Sequence, residues 1–477
     1  IGSILYLHDE DHDHRWCSRV HAGAALDASR EVMFSPQGAT ITIHQHGLVA
    51  EFTTSIAPSE DAELRLVRLS DRSGRRRQLT ITSYTELVLG NALEYERHPA
   101  FAKLFVDSQV LVRGERATLL FRRRPRGPNE PESWLACAMV SDRPAWSRFE
   151  TDRERFLGRG RSLEDPAARM QALPSEDSPM AATLDTCAAL SGQLELAAGG
   201  TWECAIVSVF GRSRAEVLER ADRLATMAAV RRNLLDAERV AVARASERGQ
   251  DTQVLRGHQR LLSALLYPRP ELRECGQGLA ATRLGQPALW RHGISGDSPI
   301  LVVRMTVAGL GNLVRLVDAH SHWFERGVAI DLVILDDRES SYDASPRQRV
   351  AQLLEQSSAR VGLPGGGVFV VDRAGLGDAE RGLLLGCASV VLDADTDIAR
   401  TLDRVGPPTL PSFEPEGQPR LPTPSLPRPS DLQFDNGYGG FSPDGREYVV
   451  HLDPGRQTPA PWVNVIVTSS AGPSTLG

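Results

Sequence analysis

The chain has 477 residues, of which 41% are hydrophobic and 24% are charged, and its formal net charge is −7 at pH 7. This length predicts two or three domains with the composition of an ordinary globular protein. The mildly acidic balance excludes a general electrostatic attraction to nucleic acid or to an anionic membrane. No apolar run in the sequence reaches the roughly 18 residues that a membrane-spanning helix needs.

Residues 1–212 are predicted to form a large antiparallel β-sandwich. The segments 61–71 and 77–89 alternate apolar and polar side chains with a period of two, as strands with one buried face do. Similar segments recur at 116–124, 133–140 and 201–211, with turn residues between them. Many short strands separated by turns are typical of a sandwich.

The hydrophobic period changes at Ser213. From 213 to 268 apolar residues recur every three or four positions, and Ser213 with Glu216 has the S-x-x-E pattern of a helix cap. This stretch is therefore predicted to be a helical linker.

From 269 to 405, short strands rich in Val, Ile and Leu alternate with amphipathic helices, which predicts a small parallel α/β domain.

The composition of the chain changes twice in its last part. Residues 406–431 are rich in proline and are predicted to be an extended linker. Residues 432–477 contain DNGYGGF at 435–441, and the order of strand, turn and Trp at 448–462 repeats the order at 4–16. We therefore expect a truncated start of a second β-sandwich. Because the alternation of the first sandwich is already under way at residue 1, we expect that sandwich to be truncated as well.

Four motifs carry a family resemblance. HPAFAKLFV (98–106) and FETDRERFLGRGRSLEDPAA (149–168) resemble the N-terminal sandwich of glycoside hydrolase family 94, formerly glycosyltransferase family 36. LWRHGISGDSPILVVRM (289–305) and FDNGYGGFSPDGREYVVHLDPGRQTPAPWVNVI (434–466) resemble the cyclic β-1,2-glucan synthases. The resemblance implies a galactose-mutarotase-like supersandwich, a helical and α/β connector, and a second sandwich, in that order.

The resemblance also sets functional expectations. Such synthases are long, membrane-anchored bacterial enzymes that transfer glucosyl units and phosphorolyse or cyclise glucans. Their catalytic helical barrel, which supplies the general acid, and their glucosyltransferase module have no counterpart in this sequence. We therefore expect a non-catalytic, carbohydrate-associated fragment with no cofactor, from the cytoplasmic portion of an inner-membrane-anchored enzyme and soluble by itself. Its expected partners are a β-glucan or oligosaccharide and the other modules of the parent protein.

A carbohydrate-facing surface is predicted on the sandwich, with no catalytic residue. Its candidates are His98, Lys103, Arg153, Arg159 and Trp134, since polar side chains bind sugar hydroxyls and a Trp ring stacks on a sugar face. The sequence leaves open that the arginines pair with nearby acids and that the Trp belongs to the core. Phe101 is expected in the core.

An alternative function lies in the predicted α/β domain. Gly309 and Gly311 follow a strand and open a helix, and Asp336 ends the next strand, as in a dinucleotide fingerprint. The third glycine position is Val314, which is expected to crowd the packing of helix on strand. This alternative is an autonomous enzyme acting on a nucleotide or nucleotide-sugar. A third reading is a purely structural scaffold that docks other modules, which a large exposed apolar patch would favour.

Two further patterns are interpreted structurally. HDEDHDH (8–14) has ligand types that bind divalent metals, but adjacent residues of one turn rarely converge on one ion. We expect a hairpin turn there and no metal site. The six cysteines are widely and irregularly spaced, which favours reduced thiols over a disulfide framework.

Overall fold

The structure is a computed structural model that describes most of the chain. The described residues are 2–19, 29–113, 116–142, 146–247, 252–274, 284–306, 309–336, 345–357, 359–405, 426–453, 456–459, 464–467 and 473–476. The chain divides into two compact units, Ile1–Pro411 and Ser412–Gly477.

The first unit opens with two antiparallel sheets. Their strands are, in chain order, β1 (Ser3–Asp9), β2 (His14–Cys17), β3 (Ser29–Ser35), β4 (Gly38–Gln45), β5 (Leu48–Ile56), β6 (Ala62–Asp71), β7 (Arg77–Glu86), β8 (Val106–Arg113), β9 (Arg116–Arg123), β10 (Ser133–Ser141), β11 (Trp146–Asp152), β12 (Gln171–Ala172), β13 (Ala181–Ala182), β14 (Thr186–Leu196) and β15 (Thr201–Gly211). One sheet has the order β12-β11-β14-β7-β1-β2, and the other has the order β13-β8-β9-β10-β15-β6-β5-β4-β3.

The two sheets pack face to face around one apolar core. Leu5 and Ile81 from the six-stranded sheet meet Phe52 and Leu119 from the nine-stranded sheet, and all four are buried. Because side chains alternate between the two faces of a strand, the period-two pattern places one apolar row of each sheet in this core. The predicted large antiparallel sandwich is confirmed.

Three short helices interrupt the part of the chain that the sequence pattern assigned to strands. They are α1 (Ala92–Arg97), α2 (Pro99–Lys103) and α3 (Arg153–Leu157). Asn91 caps α1 through its side-chain oxygen, and Asp152 caps α3 in the same way. Phe156 of α3 is buried against Tyr84, on the outer face of the six-stranded sheet.

Three helices follow the last strand of the sandwich, and the first two of them cover the outer face of the nine-stranded sheet. They are α4 (Arg214–Leu224), α5 (Met227–Glu247) and α6 (Thr252–Leu266). Ser213 caps α4, with its hydroxyl oxygen 3.3 Å from the backbone nitrogen of Glu216. Val217 of α4 and Val230 of α5 pack against Val207 of β15.

A four-stranded parallel sheet follows in the same unit. Its strands are β16 (Ile300–Arg304), β17 (Asp331–Asp336), β18 (Val368–Asp372) and β19 (Val390–Asp393), in the order β18-β17-β16-β19. The helices are α7 (Pro287–Trp290), α8 (Leu310–Glu325), α9 (Ser345–Gln356), α10 (Asp378–Cys387) and α11 (Ile398–Val405). Helices cover both faces, which explains why the strands are apolar throughout. The predicted smaller parallel α/β sheet is confirmed.

The second unit contains two small antiparallel pairs. Strand β20 (Gly439–Phe441) pairs with β21 (Tyr448–Val450), and β22 (Asn464–Val467) pairs with β23 (Pro473–Leu476). Residues 406–425 of the predicted proline-rich linker lie outside the described residues. Among the helices described, none is both long enough and apolar enough to cross a membrane.

Candidate carbohydrate-facing site

Three neighbouring strands meet at one end of the six-stranded sheet. Strands β11, β14 and β7 lie side by side and antiparallel, so the end of β11, the start of β14 and the end of β7 come together. Arg153 follows β11, Asp185 precedes β14, and Glu86 ends β7. Lys103 reaches the same place from α2, although it is 82 positions away from Asp185 in the chain.

These four residues form a cluster of ion pairs, named here the Lys103 cluster. The Nζ of Lys103 lies 2.6 Å from Oδ1 of Asp185, and Nη1 of Arg153 lies 3.5 Å from Oδ2 of the same carboxylate. The Nε of Arg153 donates to Oε1 of Glu86 at 3.0 Å. The side chains of Lys103 and Glu86 are 9% and 10% exposed, whereas those of Arg153 and Asp185 are 30% and 32% exposed. The cluster therefore has an inner part and a part that reaches the surface.

The electrostatics of the cluster favour an ionised carboxylate at Glu86. Burial opposes ionisation of Glu86, but the hydrogen bond and positive charge of Arg153 outweigh it and hold the pKa of Glu86 below its ordinary value. The hydroxyl of Tyr84 donates to Oε1 of Glu86 at 3.4 Å, and burial raises the pKa of Tyr84 well above its usual range. The ring of Phe156 stacks on Tyr84 at a centroid distance of 4.6 Å. Glu86 is thus fixed as a hydrogen-bond acceptor rather than a proton donor.

Exposed apolar side chains lie on the two helices beside the cluster. Leu93 is 61% exposed, Phe101 is 54% exposed and Leu104 is 37% exposed. The Phe101 ring meets Phe105 edge to face, with centroids 5.2 Å apart. The expectation that Phe101 belongs to the core is wrong, because α2 is a surface helix that buries Lys103 instead. Leu93, His98, Phe101 and Leu104 are named here the α1–α2 face.

Two more predicted residues lie at the surface near these elements. His98 is exposed between α1 and α2, and its backbone N–H donates to the carbonyl of Glu94. Arg159 is exposed in the turn that follows α3, between Gly158 and Gly160. Both glycines have positive φ, of 77° and 71°, which lets the chain turn sharply there. The structure thus brings Lys103 and Arg153 together through the carboxylate of Asp185 and leaves His98 and Arg159 on the surface.

Trp134 has a different environment. It is 6% exposed and packs with Val217 of α4 on the outer face of the nine-stranded sheet. Its Nε1 donates to Glu132 at 2.7 Å, and the guanidinium of Arg122 lies 5.5 Å from its ring centroid. A sugar ring reaches this indole only if α4 moves away. The prediction that Trp134 faces carbohydrate is therefore corrected to a packing role beneath the linker helix.

The residues of the alternative nucleotide site have structural partners. A Cβ on Gly309 would lie 2.3 Å from the carbonyl carbon of Ala394, so this glycine permits close packing of α8 on the loop after β19. Asp336 is 1% exposed and pairs with Arg347 at 2.5 Å, and Arg347 also contacts Asp372 at 2.7 Å. Within its described part, this strand edge is filled by packing and carboxylates. Residues 307, 308 and 337–344 lie outside the described residues.

The other two fingerprint positions, Gly311 and Val314, are not in close packing contacts within the described chain. No described atom lies within 4 Å of the Cβ that Gly311 would carry. Val314 is 42% exposed, so it does not crowd the contact between helix and strand as expected.

The histidine-rich segment 8–14 forms the turn between β1 and β2. Asp9 at its start is buried against Arg77, and His8 bonds Asp13 at 2.8 Å. Across the residues that the structure describes, no group of three or more His, Cys, Asp or Glu side chains is arranged to hold a metal ion.

Sequence comparisons agree with this architecture. Residues 1–227 match the family model for the glycosyl hydrolase 94 supersandwich domain. Over 495 aligned residues, covering 99% of the chain, the sequence is 28% identical to the cyclic β-(1,2)-glucan synthase NdvB of Rhizobium meliloti (strain 1021). The chain spans 17% of the length of that relative. The resemblance predicted from the sequence motifs is confirmed.

Solved structures of carbohydrate-active enzymes show a partial likeness. A bacterial glucoamylase complexed with acarbose matches 54% of this chain and 34% of its own, at 9% identity and a TM-score of 0.33. The GH36 α-galactosidase AgaB of Geobacillus stearothermophilus matches 73% and 44%, at 10% identity and a TM-score of 0.26. Likeness of this degree does not bear on function. By sequence, residues 1–227 are similar to the glycosyl hydrolase 94 supersandwich domain, and the chain as a whole is similar to a segment of a cyclic β-(1,2)-glucan synthase.

Proposed function

We propose that this chain is a non-catalytic, glucan-contacting segment of a larger synthase-like protein. One observation carries the proposal: an exposed aromatic ring, Phe101, lies on the helix that also supplies Lys103 to a partly exposed cluster of charged hydrogen-bonding groups. Sugars offer apolar C–H faces and hydroxyl rims, so sites for them combine an aromatic surface with polar groups.

Each residue of the site has a distinct proposed role. The Phe101 ring offers a surface for a glucosyl ring, and His98, Arg153 and Arg159 offer donors to its hydroxyls. Lys103 is a positioning residue, because its ammonium group is buried and holds Asp185 in place at 2.6 Å. Trp134 has no role in this contact.

The ionisation of Glu86 and Asp331 fits the proposed non-catalytic role. Cleavage of a glycosidic bond needs a carboxylic acid whose raised pKa keeps it protonated beside the substrate. Glu86 has a lowered pKa. Burial does raise the pKa of Asp331, but that side chain is fully buried at the start of β17, where it accepts hydrogen bonds from the N–H groups of Gly366 and Gly367. Neither group suits a general acid.

We expect Phe101→Ala to weaken binding of β-1,2-glucan about fivefold, since an aromatic contact contributes on the order of 1 kcal/mol. Calorimetric titration with linear and cyclic β-1,2-glucans measures this. The matched control is Phe34→Ala, which removes another exposed phenylalanine, 46% exposed on β3. Equal losses in the two variants, or no heat at millimolar glucan, would contradict the proposed contact.

The proposal extends to the parent protein. We infer glucosyl transfer and glucan phosphorolysis or cyclisation for that protein, with this chain on the cytoplasmic side of an inner-membrane-anchored bacterial enzyme. The support is the similarity to the glucan synthase over 99% of the chain. The other modules of that protein are the proposed partners, together with a β-glucan or oligosaccharide.

A second candidate function is docking of those modules without glucan contact. Val32, Met33 and Phe34 are consecutive residues of β3, at one edge of the nine-stranded sheet, and are 52%, 51% and 46% exposed. An exposed apolar edge strand is a typical protein contact. Absence of glucan binding would favour this scaffold role. Turnover of a sugar phosphate or nucleotide-sugar by the isolated chain would instead support the alternative that the chain is an autonomous enzyme.

A further inference from the structure

A cleft opens beside the parallel sheet. The order β18-β17-β16-β19 places β16 in the middle of the sheet, with the chain leaving it toward β17 and returning on the other side as β19. In open α/β sheets, ligands bind outside the carboxyl ends of the strands at such a switch point. The cleft lies there, with a volume of about 480 Å³, within the range of about 300–1,000 Å³ that is typical of small-molecule sites.

Three elements supply the polar lining of the cleft. The loop after β19 contributes two carboxylates and a hydroxyl, the first turns of α8 contribute an amide and a guanidinium, and α6 contributes an imidazole. These residues are Asp395, Thr396, Asp397, Asn312, Arg315 and His258.

His258 is the least exposed of these groups. It is 6% exposed, borders the cleft, and has no hydrogen-bond partner among the residues that the structure describes. Burial, together with the positive charges of His322 and Arg315, lowers the pKa of His258 to about 4. Its imidazole is therefore neutral at pH 7, with one nitrogen that donates and one that accepts. Neither nitrogen is among the fully buried polar atoms that lack a partner, so a ligand in the cleft that both donates and accepts can bond the imidazole.

The charges of the lining select the class of ligand. Asp395 and Asp397 carry two negative charges and Arg315 carries one positive charge, so an anionic ligand is repelled overall. Carboxylates accept hydrogen bonds from hydroxyls, while the amide of Asn312 both donates and accepts. A neutral molecule with several neighbouring hydroxyls meets all of these groups at once.

We propose that this cleft binds the hydroxyl-rich end of a neutral saccharide, with His258, Asn312 and Asp395 as direct contacts. The proposal does not depend on glucan contact at the sandwich, because the two surfaces share no residue. It assigns a ligand-binding role to the α/β region that differs from the nucleotide alternative in both residues and chemistry.

The test follows the imidazole resonances of His258 by NMR while sophorose, the β-1,2-linked glucose disaccharide, is added to the whole chain. A His258→Gln variant assigns the signals. We expect saturable shifts, and about fivefold weaker binding in Asn312→Ala and in Asp395→Asn, the effect of one lost hydrogen bond. The control Asp378→Asn removes an exposed carboxylate of α10 that does not line the cleft and leaves the affinity unchanged.

Three results would overturn the proposal: no His258 shift at millimolar sophorose, equal affinity in the two cleft variants and the native chain, or tighter binding of glucose 6-phosphate than of glucose. The Phe101→Ala variant separates this site from the sandwich site. This variant is expected to leave the His258 shifts unchanged. Loss of saccharide binding at the cleft and loss of glucan binding at the sandwich can therefore be told apart.

Discussion

Arg77→Leu is expected to lower the free energy of unfolding of the first unit by about 3–5 kcal/mol, the usual cost of removing one partner from a buried ion pair. Arg77 is 4% exposed. Its Nη1 lies 2.5 Å from Asp9 and its Nε lies 3.4 Å from Asp71, two carboxylates that are themselves buried. Its Nη2 donates to the carbonyl of His46 at 2.6 Å and to Ser73 at 3.0 Å. Leucine leaves both carboxylates buried without this cation.

The ion pairs of Arg77 with Asp9 and Asp71 also make the effect of Arg77→Leu depend on pH. Burial opposes ionisation of Asp9, but hydrogen bonds from His12 and Arg77 outweigh it and lower the pKa of Asp9. The pKa of Asp71 also lies well below its usual range, since burial is outweighed by hydrogen bonds from a hydroxyl and from backbone N–H groups. A carboxyl group whose pKa is lower in the folded protein than its unfolded value of about 3.9 stabilises the fold at pH values above that unfolded value. This stabilisation is lost as the pH falls through the folded-state pKa. Without Arg77 the pKa of Asp9 rises, so the loss of stability below about pH 4 is expected to be shallower in the variant.

Chemical denaturation at pH 7 and between pH 5 and 2 measures both effects. The matched control is Arg76→Leu, which removes the neighbouring arginine. Arg76 is 66% exposed and pairs with the half-exposed Glu195, and such surface pairs contribute about 0–1 kcal/mol. Equal destabilisation by the two variants would show that the buried cluster has no special role.

Local pattern predicted the elements whose signal lies within a few residues. The alternation at 61–71 and 77–89 corresponds to strands β6 and β7, and the cap at Ser213 begins α4. These predictions succeeded because a strand with one buried face and a capped helix each need particular residue types at fixed short spacing. The three short helices of the sandwich were missed, since five or six residues are too few for a helical period. Their caps at Asn91 and Asp152 were the signals available.

The candidate site depended on contacts that no local pattern encodes. Lys103 and Arg153 were predicted separately, but the carboxylate of Asp185 that joins them is brought there by the pairing of β14 with β7 and β11. Glu86 was missed for the same reason. Trp134 was misplaced because its strand alternation does not say which face α4 will cover. Asp9 belongs to the segment predicted as a hairpin turn, and strand pairing buries it against Arg77, 68 positions away.

Gly309→Ala is expected to destabilise the first unit by about 3 kcal/mol, at the upper end of overpacking effects. The φ of Gly309 is −88°, which any residue adopts, so the cost of alanine here comes from steric overlap and not from backbone strain. A Cβ there would lie 2.3 Å from the carbonyl carbon and 2.5 Å from the Cβ of Ala394, and 2.6 Å from the backbone nitrogen of Asp395. Backbone atoms do not yield as a flexible side chain does, so α8 or the loop after β19 must shift.

Gly311→Ala is the matched control two residues along. It lies in α8 with no described atom within 4 Å of the added Cβ, so alanine is expected to stabilise the helix by about 0.5–1 kcal/mol. Chemical denaturation of both variants measures the free energy of unfolding, which is expected to fall in Gly309→Ala and to rise in Gly311→Ala. A Gly309→Ala variant that keeps native stability but loses binding of a nucleotide-sugar would restore the phosphate-cradling role that the fingerprint pattern suggested. Opposite shifts in stability, with no nucleotide-sugar binding in the native chain, would leave Gly309 as a packing glycine that lets α8 lie against the loop after β19.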